Sequence, residues 1–192
     1  MKKIFVLLIT LFCTGIVYAQ DFSVYKLNNG QIVVLQEVKT NPIVTIDTWI
    51  KTGSINENDE NNGVSHFLEH LFFKGSTNHA PGEFDKILEN KGALTNAATS
   101  KDFTHYYITI PSKDFDLALE IHSDMLLHPL IPRKELEKER KVVIEEIMKD
   151  ANSPQTLVYD NLVKMLYTNH PYKRKVIGTS DIISTIHRDK IM

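Results

Sequence analysis

Two imidazoles four residues apart, with a carboxylate between them, stand in the run His66-Phe67-Leu68-Glu69-His70. Residues at that spacing share one face of a helix, about 5–6 Å apart, so His66 and His70 can both reach one zinc ion at roughly 2.0–2.1 Å. Glu69 lies one turn from His66 on the same side, where a carboxylate can hold and deprotonate a water without being a ligand. Phe67, Leu68, Leu71, Phe72 and Phe73 make this helix apolar nearly all round, which predicts burial. Two histidines and a glutamate buried there are costly unless ligated or hydrogen-bonded.

Two histidines do not complete a catalytic metal site, which usually takes three protein ligands and keeps a fourth position open. A helix expected over residues 132–150 offers Glu145 and Glu146. Glu145 has Lys141 one turn back, a pairing of solvated faces. Glu146 has Val142 and Val143 one turn back, so it points out of an apolar stripe toward the interior and is taken as the third ligand. Glu139, two turns earlier on that stripe, suits an outer role, accepting the free N–H of a liganding histidine. The alternative for Glu139 is a buried ion pair with an arginine such as Arg140 or Arg133.

The elements that must position these groups follow from pattern. Residues 22–27 and 31–38 flank Asn28-Asn29-Gly30 and read as a hairpin, with Asn-Gly supplying positive φ at the turn. The stretch 42–51 alternates and gives a third strand. Asn61 or Asn62 can cap a helix over 63–73 that is closed by Lys74-Gly75, and Pro81 opens a second through Asn90. Strands are expected at 93–100 and 103–110. Helices are expected at 113–127, at 132–150 with proline at its first position, at 154–167 and at 181–190. Strands and helices fall in separate runs, which implies an α+β fold with an antiparallel-rich β-sheet covered by α-helices.

Residues 1–19 have two lysines, a 14-residue apolar run from Ile4 to Val17, and Val17-Tyr18-Ala19 at the end. This is the pattern of a secretory signal peptide, and the run is shorter than the roughly 20 residues of a spanning helix, so no stable membrane anchor is expected. The exported protein, in the periplasm or outside the cell, then starts near Gln20, and residues 20–192 form one domain. Cys13, the only cysteine, leaves with the signal, so any transition-metal site must use His and carboxylate. Cleavage leaves 20 basic against 24 acidic residues, a net charge of −4, and nothing suggests nucleic acid. The chain stops directly after its last expected helix, and it is expected to be incomplete at its C-terminus.

Taken together, the motifs resemble the pitrilysin and insulinase family of zinc peptidases, which includes the mitochondrial processing peptidases and their bacterial relatives. The family pattern is His-x-x-Glu-His with a further glutamate about 76 positions on, and His70 to Glu146 is a step of 76. Leu71-Phe72-Phe73-Lys74-Gly75, Thr95-Asn96-Ala97-Ala98-Thr99-Ser100, Thr104-His105-Tyr106-Tyr107 and Glu139-Arg140 fall in register with it. The resemblance implies a half-domain of the processing-peptidase type, one Zn2+ ion between the first helix and the Glu146 helix, and hydrolysis of peptides or unfolded segments by metal-activated water with Glu69 as base. It implies a substrate peptide added as an edge strand beside Asn96, Ala97 and Ala98, although Asn96 also suits an ordinary turn at a strand end. It implies a second homologous half, or a partner subunit, that closes the chamber. The alternative is a zinc-binding but inactive subunit that docks peptides or a partner. Ser65, Ile55 and Ala98 depart from the usual alanine, arginine and aromatic. His79, His105, His122, His128 and His187 read as surface or capping residues, His170-Pro171-Tyr172 as a turn without metal duty, and Trp49 as core.

Overall fold

The structure is a computed structural model that describes residues 22–191. The segment read as an export signal lies outside the described residues. The chain forms two compact units, one ending at Asn41 and the other beginning at Pro42.

The first unit is an antiparallel hairpin of β1 (Phe22–Lys26) and β2 (Ile32–Gln36), with Lys26 opposite Ile32 and Phe22 opposite Gln36. Its turn differs from a two-residue Asn-Gly turn. Gly30 alone takes positive φ, at 90°, the N–H of Leu27 donates to the carbonyl of Gln31 at 2.8 Å, and the Asn29 side chain accepts from Gln31 N–H at 3.0 Å. This is a three-residue loop with glycine in the left-handed position.

The second unit contains β3 (Ile43–Ile50), α1 (Val64–Phe72), α2 (Glu83–Asn90), β4 (Leu94–Thr99) and β5 (Thr104–Pro111), then α3 (Phe115–Leu127), α4 (Arg133–Ala151), α5 (Pro154–Leu166), α6 (Ser180–Thr185) and α7 (Arg188–Ile191). The fold is α+β. Its three strands are antiparallel in the order β3-β5-β4. Side chains alternate across a strand, and β5 buries Tyr106, Ile108 and Ile110 on one face. These pack with Phe72 of α1, Phe84 and Leu88 of α2, and Ile121 and Met125 of α3. A second core joins Phe67 and Leu71 of α1 to Leu136 and Val143 of α4 and Ile183 of α6. Helix α1 thus contributes to both cores, which fixes its rotation.

Four expectations are corrected here. Trp49 is 57% exposed and not core, because the period of β3 sends Thr45, Asp47 and Trp49 to the face without helices. His122 is buried, with its Nε2 2.8 Å from Thr48 Oγ1, because it lies on the side of α3 that meets the sheet. The last helix breaks at Ile186, whose backbone is extended. Arg140 accounts for the break, its guanidinium donating to the carbonyls of Ile183 and Ile186. The helix at 132–150 begins at Arg133, with Pro132 just outside it.

Neither Asn61 nor Asn62 caps α1. Gly63 occupies the capping position at φ 97°, and a carboxylate from the preceding loop does the work. Glu57, buried, accepts from Gly63 N–H and Ser65 N–H, and from the Asn62 amide, each at 2.8 Å. An anion at this end also complements the helix dipole. Gly63 must be glycine twice over, since a Cβ there would lie 2.7 Å from the Ile177 carbonyl and 2.8 Å from Gly178 Cα. The start of α1 is therefore pinned between its own loop and the chain around Lys175 to Gly178.

Candidate metal centre

Helices α1 and α4 pack against each other, and this packing brings His66, His70 and Glu146 together. Glu146 Oε2 lies 3.8 Å from His66 Nε2 and 3.6 Å from His70 Nε2. One ligand atom from each residue falls within 4.8 Å of the others. Four ligands at about 2.1 Å in a tetrahedron stand about 3.4 Å apart, and both Glu146 distances come close to that spacing. Two imidazole nitrogens with one carboxylate is also the chemistry of an open catalytic zinc site.

The electrostatics agree with that donor set. Burial, with a smaller contribution from His70, lowers the His66 pKa to about 4, so the ring is neutral near pH 7 and keeps a lone pair to give. His66 Nδ1 is buried without a hydrogen-bond partner among the described residues. Glu146, with 43% of its side chain exposed, leaves the site open toward solvent.

Of the two valines expected behind Glu146, Val143 is buried and Val142 is 41% exposed. One apolar anchor suffices to turn Glu146 inward, while Glu145 is exposed. Glu139 also faces the site: its Oε2 is 3.4 Å from His70 Nδ1 and its Oε1 is 3.0 Å from Lys74 Nζ. The arginine pairing is not formed. Arg140 binds Glu137 at 3.1 Å and the end of α6 instead, because it leaves α4 on a different side from Glu139.

Glu69 is held apart from this cluster. Thr99 Oγ1 donates to Glu69 Oε2 at 2.5 Å, which ties α1 to the end of β4. Beneath it lies Tyr106, whose hydroxyl burial and the Glu69 charge together hold far above its usual range. Strand β4 is at the edge of the described sheet. Along it Thr95, Ala97 and Thr99 face the helices, while Asn96 and Ala98 face outward. Asn96 is inside the strand and not at its end, and its Oδ1 accepts from Ala97 N–H at 2.9 Å. A cleft of about 530 Å³ opens beside His66, bordered by Thr99 to Asp102, by α5 and by the chain from Tyr172 to Ile177. Lys101 spans it, donating to the carbonyls of Tyr172 (2.8 Å) and Arg174 (2.9 Å).

Sequence reasoning did not find Thr99 as the partner of Glu69, Lys74 as the partner of Glu139, or Glu57 as the cap of α1. Lys74 stands four residues after His70, just past the end of α1, a spacing that could have flagged it. Thr99 and Glu57 carry no such local signal. Other histidines have partners outside the cluster: His79 Nδ1 is 2.9 Å from Asp124, His105 Nδ1 is 3.0 Å from Asp47, and His170 accepts from Tyr172 N–H.

Known proteins are similar in sequence and in fold. A zinc protease of Bacillus subtilis, itself uncharacterised, is 37% identical over 167 residues, which is 87% of this chain and 41% of that protein. The bovine mitochondrial-processing peptidase subunit beta is 36% identical over 148 residues, 77% of this chain and 30% of its own length. The crystal structure of a protease from Helicobacter pylori superposes with a TM-score of 0.86 at 34% identity, covering 91% of this chain and 42% of that one. The chain thus spans less than half the length of each. Residues 32–180 match the family pattern of the insulinases, and the chain belongs to that family, peptidase family M16.

Proposed function

We propose that this chain is the zinc-bearing half of an exported endopeptidase that hydrolyses peptides or unfolded protein segments. The observation that carries the reading is the convergence of His66, His70 and Glu146 on one point, with Glu69 one turn away and bonded to the end of a free strand edge. Bound there, one zinc ion supplies Lewis-acid polarisation of the scissile carbonyl and lowers the pKa of water to about 7. Glu69 takes the proton of the attacking water and delivers it to the leaving amine, its carboxylate oriented by Thr99. Glu139 fixes the His70 ring through Nδ1. A substrate strand pairs with the outer edge of β4 along Asn96, Ala97 and Ala98, so recognition rests largely on main-chain hydrogen bonds.

The rest of the assembly belongs to the same proposal. Residues 1–19 direct export to the periplasm or beyond, and residues 20–192 carry the site. The matched relatives are more than twice as long, and one is named as a subunit. This supports a second homologous half, in the same polypeptide or in a partner, that closes over the cleft and removes water from around the charges.

The test is Glu69→Gln. The variant is expected to bind zinc with near-normal affinity and to lose roughly 10²–10⁴ in turnover of an unstructured peptide. A metal-free variant would make Glu69 a ligand or a fold determinant. Wild-type protein that holds zinc and binds peptide without cleaving it would favour the inactive docking subunit.

A further inference from the structure

The face of the sheet turned away from the helices carries an aromatic cluster in line with the site. Trp49 of β3, His105 of β5 and Ala98 of β4 form one row across the three strands. The Trp49 ring stacks on His105, with centroids 4.5 Å apart and planes at 26°, and meets Phe103 at 4.6 Å. His105 also stacks on Tyr107 at 5.9 Å. Asp47 sits on the same face, but both its oxygens are engaged by His105 Nδ1, at 3.0 and 3.3 Å. The row is therefore aromatic, and its carboxylate is already hydrogen-bonded to the imidazole.

Ala98 is the gap in it. Strands lie about 4.8 Å apart, so a residue of an added strand opposite Ala98 sits one strand beyond a single methyl group. A long or aromatic side chain there can lie across Ala98 and reach the imidazole. A bulky side chain at position 98 would fill that space from within. Thr99, next along β4, points to the opposite face and holds Glu69, so the gap is one residue from the proposed catalytic end of the edge.

We propose that Trp49, exposed, and His105, half-buried against it, form across Ala98 a subsite that selects an aromatic side chain of the substrate. The inference rests on the strand addition proposed above and names the side-chain class that addition would favour. An aromatic ring is chosen over a guanidinium because the one carboxylate on the face is already paired. Stacking of a third ring on such a cluster combines apolar burial with favourable ring geometry.

Trp49 is the only tryptophan, so its emission reports directly on the subsite. The Glu69→Gln protein, zinc-loaded, would be titrated with fluorescein-labelled unstructured peptides that carry phenylalanine or alanine at a single walked position. Anisotropy reads binding and, in matched unlabelled peptides, Trp49 emission reads contact. One phenylalanine position is expected to tighten binding about tenfold and to change the emission. His105→Ala is expected to remove that preference while leaving the affinity for the alanine peptide in place. Ala98→Phe, which fills the gap, is expected to abolish it as well. Peptide binding with no phenylalanine preference at any position, or a preference that survives both variants, overturns the subsite alone and leaves the catalytic proposal standing. Failure of every peptide to bind overturns the strand addition itself, and the subsite with it. Binding with preference but no hydrolysis by the wild-type chain, alone or joined to a second homologous half, supports the subsite and counts against the catalytic reading.

Discussion

Replacing Glu57 by glutamine changes one atom, some distance in sequence from every proposed ligand, and is expected to weaken the whole site. One Glu57 oxygen takes Ser65 N–H, and the other takes both Gly63 N–H and the Asn62 amide, all at 2.8 Å. Whichever oxygen becomes NH2, it faces a donor, so at least one buried N–H at the start of α1 is left unsatisfied, at about 1–3 kcal/mol. Loss of the negative charge at the helix N-terminus adds about 0.3–1 kcal/mol. A total near 3 kcal/mol corresponds to a fall in Tm of about 6–12 °C for a chain of this length. Urea unfolding followed by circular dichroism would measure it, with Glu60→Gln, an exposed neighbour, as control. Because His66 sits in the first turn of α1, zinc affinity is expected to fall in parallel. A Glu57→Gln protein within about 0.5 kcal/mol of wild type, the range of an ordinary surface change, would refute the capping argument.

Glu146→Gln is expected to lose most of the bound zinc while Glu145→Gln keeps it, and equal metal content by elemental analysis would reverse the assignment. Glu139→Gln is expected to weaken zinc binding roughly 10–100-fold without removing a ligand, read by competition with a chelating dye; wild-type affinity would leave Glu139 with its Lys74 contact alone. In zinc-free protein, burial sets the His66 pKa at about 4 and lowers that of His122 against the opposing pull of Asp47. Both folded values lie below the unfolded 6.5, so the unfolded chain binds more protons. Stability should be fullest above pH 6.5 and decline as the pH falls through 6.5 toward 4. His122→Asn is expected to flatten that decline in urea midpoints measured between pH 7 and 5, and an unchanged slope would exclude His122. On an unstructured peptide, these 192 residues loaded with zinc are expected to turn over more slowly than a version joined to a second homologous half, and equal rates would remove the need for one.

What could be read from the sequence was what depends on neighbours along the chain. His66 and His70 are four apart, so one helix aligns them whatever else the chain does. Glu146 is remote, yet the buried Val143 three residues before it marks the inward side of α4, even though Val142 proved exposed. Trp49 was misread although the signal was present: it has the parity of Thr45 and Asp47, and its size outweighed the alternation. Thr99 with Glu69, Glu57 with Gly63 and Ser65, and Arg140 with the end of α6 join groups whose meeting depends on tertiary packing or on loop conformation. No periodicity predicts which polar group will arrive at a given orphan amide or carbonyl. Position 98 was legible as a departure from the family, but its meaning required the row Trp49, His105, Ala98 that only strand register supplies.

The 76-residue step from His70 to Glu146 has a thermodynamic consequence. Bringing the ends of a loop that long together costs about 4 kcal/mol of chain entropy beyond a constant, and an ion that had to gather its own ligands would bind more weakly by that amount. Here the apolar contacts of Phe67 and Leu71 with Leu136 and Val143 close that loop. With that closure supplied by apolar packing, zinc is expected to add to the stability of the fold rather than to be required for it, unlike in small zinc-dependent domains that unfold when stripped. A chelator should empty the site and leave a folded protein behind, ready to be reloaded in whatever compartment first offers it zinc.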